Sequence, residues 1–142
     1  MQDSAINYKN LNIRKGYGVT ISKQQLADLP AAAYEGKTVV VDSREDAEKA
    51  AEVLRSASVI GFDTETKPSF KRGTTYNVAL LQLASRDTCF LIRLNHIGLP
   101  KSIQEILEDS SLLKVGVSIH DDFRNLNKIY PVAPDGFIDL QN

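Results

Sequence analysis

Tryptophan is absent from the 142 residues, and cysteine and methionine occur once each. A lone Cys89 cannot close an internal disulfide, which excludes a small secreted domain stapled by bridges. With a polar start, Met1-Gln2-Asp3, it points to a reducing, cytoplasmic setting. No apolar run approaches the roughly 20 residues that a bilayer span requires, so no membrane partner is expected. An excess of charge is missing too: 17 Lys and Arg stand against 18 Asp and Glu, net −1. That rules out a cationic coat for nucleic acid, and any contact with a polyanion must come from a local patch. No Ser/His/Asp or Cys/His arrangement supports covalent catalysis, and neither Gly-x-Gly-x-x-Gly nor a P-loop occurs.

What is present is ordinary for one globular domain: 42% hydrophobic and 25% charged residues. Residues 1–37 read as an irregular N-terminal extension. Gly16 and Gly18 flank Tyr17, and a Ser22/Gln25 capping box opens a short helix that Pro30 stops. Periodicity sharpens from Thr38. Thr38-Val39-Val40-Val41 is a β-branched run, expected as a strand buried on both faces. Ser43, with Asp46 three residues on, caps a helix whose Ala47, Ala50, Ala51 and Leu54 form one apolar stripe. Strands follow over 59–65, 78–84 and 88–94; the short Ser85-Arg86-Asp87 connection makes the last two antiparallel. Cys89 falls there as a small core side chain.

Pro100 opens a helix with Ile103, Ile106 and Leu107 inward, and residues 113–119 read as a buried strand. A helix from about Asp122 to Tyr130 and a strand at Phe137-Ile138-Asp139-Leu140 complete the order β-α-β-β-β-α-β-α-β. The fold class is α/β, a mixed β-sheet flanked by helices. With no covering helix after the last strand, apolar residues near Leu81, Leu83 and Ile119 are expected to lie open, and this fragment to self-associate or to be only marginally stable alone.

Asp63 and Glu65 end a strand that otherwise reads as core. Side chains two apart in a strand share a face, so both carboxylates point the same way beside Gly61. Such a pair fits a solvated strand end, or a site for a hard divalent cation such as Mg²⁺. Asp121 and Asp122 stand at a helix start. Helical spacing groups Asp122 with Leu126 and Ile129 on the inward face, and Asp121 with Asn125 and Lys128 on the polar one. Asp122 is thus aimed at the Asp63/Glu65 edge, while Asp121 suits capping. The loop from Lys67 to Asn77 carries no acid. Lys67, Lys71 and Arg72 suit phosphates and Phe70 and Tyr76 suit stacked bases; an exposed flexible loop has the same composition. His120 reads as structural and His96 as solvent-exposed.

Gly61-Phe62-Asp63-Thr64-Glu65-Thr66, Ala79-Leu80-Leu81-Gln82-Leu83-Ala84 and Lys114-Val115-Gly116-Val117-Ser118-Ile119-His120-Asp121-Asp122 together resemble the 3′–5′ exonucleases of the DEDD superfamily. The branch most similar is that of ribonuclease D and the Werner-syndrome exonuclease, on a ribonuclease H-like fold. The resemblance covers residues 38–142. It implies a metal-dependent domain that hydrolyses a single-stranded nucleic acid from its 3′ end, with two Mg²⁺ or Mn²⁺ ions. Asp63 and Glu65 match the first motif and Asp122 the Asp of the second, as catalytic, metal-holding carboxylates. Asp139 matches an acidic position common after the second motif and is not assigned to metal. The third motif, a Tyr or His with an Asp four residues later, has no match: Tyr130 has Pro134 at that offset. The resemblance therefore implies the N-terminal part of an exonuclease domain, C-terminal helices absent, inactive alone. The alternative is a non-catalytic module on the same fold that grips nucleic acid or protein.

Overall fold

The computed structural model describes residues 20–141, and the chain divides into two units, Met1–Glu35 and Gly36–Asn142. The irregular stretch expected around Gly16, Tyr17 and Gly18 lies outside the described residues. In the first unit, α1 (Lys23–Asp28) starts on the capping box: the Ser22 hydroxyl accepts from the Gln25 N–H at 3.0 Å, and Gln25 Oε1 accepts from the Ser22 N–H at 2.9 Å.

The second unit runs β1 (Lys37–Val41), α2 (Arg44–Arg55), β2 (Val59–Thr66), β3 (Val78–Ala84), β4 (Thr88–Arg93), α3 (Leu94–Ile97), α4 (Lys101–Glu108), β5 (Leu113–Gly116), α5 (Ile119–Asn127) and β6 (Phe137–Asp139). One six-stranded sheet takes the order β1-β4-β3-β2-β5-β6. Its centre is the antiparallel β2-β3-β4 meander, and β1, β5 and β6 join in parallel. Strands β1, β2, β4, β5 and β6 consequently all end at one edge.

Strand alternation sorts the sheet into two unlike faces. Val41, Ile92, Leu81, Leu83, Phe62 and Ile60 share one face and are buried. Helices α2, α4 and α5 bury Leu54, Ile106, Leu107 and Leu126 in that same cluster. The opposite face, with Leu91, Leu80, Gln82 and Val115, stands outside the core cluster.

This division revises several sequence expectations. Leu81, Leu83 and Ile119 are buried rather than open; among the described residues the uncovered face is the other one. β1 is an edge strand with Val40 53% exposed, because its β-branched run meets helix on one side only. Cys89 lies half-buried in register with Ala84, outside the core, and burial raises its thiol pKa. The strand expected over 113–119 stops at Gly116, and the next helix begins at Ile119, three residues earlier than its sequence suggests. Ile129 falls beyond that helix and is 36% exposed instead of facing inward.

One buried group is a charge. Lys114 lies on the covered face between Ile60 and Phe137, and its Nζ donates to the Asp109 carbonyl at 2.6 Å. Burial pushes its pKa from 10.5 down to about 8, against the pull of Asp109 and Asp135. The folded chain then binds fewer protons than the unfolded chain between those values, so stability rises with pH across that window. The penalty for the buried charge is complete below pH 8 and relieved above it. Relative to Lys114→Met, the natural chain is expected to gain about 2 kcal/mol between pH 8 and 10. Urea melts at each pH measure the difference; parallel profiles overturn it.

Candidate functional site

Asp63 and Glu65 sit at the end of β2, on the uncovered face, in register with Gln82 and Leu80. Both are exposed, and Asp63 Oδ1 accepts from the Thr64 N–H at 2.9 Å. Thr64, between them, points to the covered face, where its hydroxyl donates to Asp122 Oδ1. Asp122 is half-buried.

Two features hold α5 where Asp122 can reach β2. The first is an aromatic triad: Phe62 stacks on Phe123 at 5.0 Å between centroids, and Phe137 meets both edge-on at 5.0 and 4.6 Å. The second is the start of the helix. Ser118 is left-handed (φ 55°) and gives no side-chain cap. Asp139 of β6 supplies it instead, Oδ1 accepting from the Ser118 N–H at 2.9 Å and Oδ2 from the Ile119 N–H at 3.0 Å. Asp121, expected as a cap, pairs with Arg124. No local signal marks Ser118 as the start, because the capping carboxylate lies 21 residues downstream.

Asp122 meets β2 at Thr64, the residue that stands between Asp63 and Glu65. Among the described residues no group of three His, Cys, Asp or Glu is gathered for a metal ion. The three carboxylates nevertheless share one strand end. Burial raises the Asp122 pKa, the Thr64 hydroxyl opposes that, and repulsion from Asp63, Asp121 and Glu65 adds to it. Oxygen-only donors of like charge suit a hard cation such as Mg²⁺ or Mn²⁺ rather than a soft one.

The loop after β2 leaves from the same edge. Phe70 is 97% exposed, Lys71 and Arg72 are exposed, and Gly73 (φ 79°) makes the turn. Lys67 Nζ lies 5.1 Å from the Tyr76 ring centroid, tying the two ends of the loop. One group that the sequence did not reveal lies at this edge as well. Asp42, just past β1, accepts from Arg93 Nη1 at 3.4 Å and pairs with His96 Nδ1 at 2.8 Å; Arg93 Nη2 and His96 Nε2 are 2.8 Å apart. His96 is exposed, as expected, and is bonded on both ring nitrogens, to partners that no sequence motif links.

Residues 38–142 match the protein family described as 3′-5′ exonuclease. A 3′-5′ exonuclease of Arabidopsis thaliana is 28% identical over 134 residues, covering 86% of this chain and 46% of the relative. The chain therefore spans about half the length of that curated relative. Among solved structures, Trypanosoma brucei RNase D in complex with RNA U12 matches with TM-score 0.65 at 25% identity, over 76% of this chain and 39% of that one. The EXD2 exonuclease domain soaked in Mg and GMP matches with TM-score 0.65 at 31% identity, over 75% and 57%. The six-stranded mixed sheet with its helices is the ribonuclease H-like exonuclease fold of these neighbours.

Proposed function

This chain belongs to the 3′-5′ exonuclease family, and on that premise we propose that residues 38–142 are a metal-dependent domain for hydrolysing nucleic-acid phosphodiester bonds from the 3′ end. The observation that carries the proposal is that Asp63 and Glu65 end β2 while Asp122 is bonded to Thr64 between them, beside a basic, aromatic loop. Those three carboxylates would hold Mg²⁺ or Mn²⁺. Bound there, the metal supplies an activated water and a Lewis acid for the departing 3′ oxygen, roles that two ions share in two-metal sites. Lys67, Lys71 and Arg72 pair with phosphates, and Phe70 and Tyr76 stack on bases, so the loop orients a single strand across the carboxylates. The Thr64 hydroxyl donates to Asp122 and holds it at β2, where it would serve as a ligand to a bound cation. The RNA in the RNase D structure and the Mg and Mn soaks of the EXD2 domain support this assignment.

Nowhere in these 142 residues is a Tyr or His followed four residues later by Asp, the pattern of the third motif and its general base. Strand shortening by this chain is therefore expected to be about 10²–10⁴-fold slower than with such a base. Mn²⁺ titration tests the carboxylates directly: Asp63→Ala and Asp122→Ala are expected to weaken binding about 10–100-fold. Unchanged affinity in both variants overturns the metal site. Strand binding that survives without any Mn²⁺ affinity favours a non-catalytic module instead. Fast 3′ shortening that Asp63→Ala abolishes overturns the need for the missing base.

A further inference from the structure

The Asp42-Arg93-His96 cluster takes no part in the chemistry described so far, yet the sheet register places it in line with that chemistry. Glu65 pairs with Leu80, and Leu80 pairs with Arg93, so the three occupy one row across β2, β3 and β4. By strand alternation Arg93 belongs to the uncovered face that carries Asp63 and Glu65. Two inter-strand spacings, about 10 Å, separate the Arg93 and Glu65 backbone positions. Among the described strand residues of that face Arg93 is the one cation.

Its environment differs from that of the loop lysines. Asp42 and His96 engage one N–H on each terminal nitrogen of the guanidinium. Since a guanidinium has five N–H donors, three remain for a ligand. The three side chains are 40–47% exposed, so the group is held and open to solvent at once. A fixed guanidinium suits the paired oxygens of a phosphate and loses little freedom on binding one. The half-buried Leu80 and Gln82 lie between it and the carboxylates, a low floor over which a strand can pass.

We propose that Arg93, oriented by Asp42 and His96, is a phosphate-binding subsite that holds the backbone of the nucleic-acid strand one or more nucleotides away from the bond at Asp63 and Glu65. It rests on the nucleic-acid reading of the site and adds an anchor across β3 from the 67–77 loop. The test is binding of fluorescently labelled oligouridylate and oligothymidylate to the 142-residue chain in EDTA, across a salt series, with a thermal melt of each variant. Arg93→Gln is expected to weaken binding and to lower the slope of log affinity against log salt by about 0.7, the value for one lost phosphate contact on a single strand. Arg93→Lys keeps the charge and is expected to retain the slope with reduced affinity, because the fixed paired contact is lost. Two variants that match the natural chain in affinity and slope overturn the subsite and leave strand binding intact. A natural chain that binds neither strand overturns the underlying reading as well, and the subsite with it.

Discussion

Gly136→Ala is expected to destabilise the second unit by about 2–5 kcal/mol, combining left-handed strain with overpacking. Gly136 has φ +71°, and a Cβ there would lie 2.6 Å from the Leu112 carbonyl oxygen, 2.8 Å from that of Asp109 and 3.1 Å from Lys114 Nζ. None of the three can retreat easily. The Asp109 carbonyl accepts from buried Lys114, and the Gly136 carbonyl itself accepts from the Lys114 N–H at 2.8 Å. Relief therefore requires separating β6 from β5 at its first pair. Gly73 is the control: its φ of +79° is similar, but nothing stands within 4 Å of its Cβ position. Gly73→Ala should lose only the conformational part, about 1–2 kcal/mol. Thermal melts decide between them. A Gly136→Ala chain that melts like Gly73→Ala removes the packing component, and one that melts like the natural chain removes both.

Asp139→Ala is expected to cost about 2–3 kcal/mol, the range for a charge-assisted bond lost at a capped helix start. The carboxylate accepts from the N–H groups of Ser118, Ile119 and Gln141, so one truncation leaves three donors without their acceptor. Ser118 adds to the effect, since a left-handed serine persists only where its surroundings hold it. Amide exchange at Ser118 and Ile119 should accelerate in Asp139→Ala and respond less in Asp139→Asn, which keeps one acceptor oxygen. Replacing Ser118 by Gly in the alanine variant should restore part of the loss by removing the strain. Unchanged exchange at both amides in Asp139→Ala would mean that the helix start is held by the aromatic triad alone.

The amino-acid sequence by itself determined the elements whose causes are local. Val59 to Glu65 alternates as a strand, Ser43 caps α2, and Ala47, Ala50, Ala51 and Leu54 recur with helical period, because neighbouring residues supply both the pattern and the cap. It also determined the carboxylates, since the i, i+2 spacing of Asp63 and Glu65 is a property of the strand alone. Tertiary structure decided everything whose partner is distant. The run Thr38 to Val41 looks the same on an edge as in the middle of a sheet, and only the strand order makes β1 an edge. The start of α5 depends on Asp139, reached across β5 and β6, so local spacing misplaced the helix and with it Ile129. Asp122 is inward as its helical position demands; that helix packs against the covered face, and its carboxyl meets Thr64, which stands between Asp63 and Glu65. Strand alternation assigns residues to two faces; which face the helices cover is chosen by how the whole chain packs, and that choice set where every charged group at this edge came to rest.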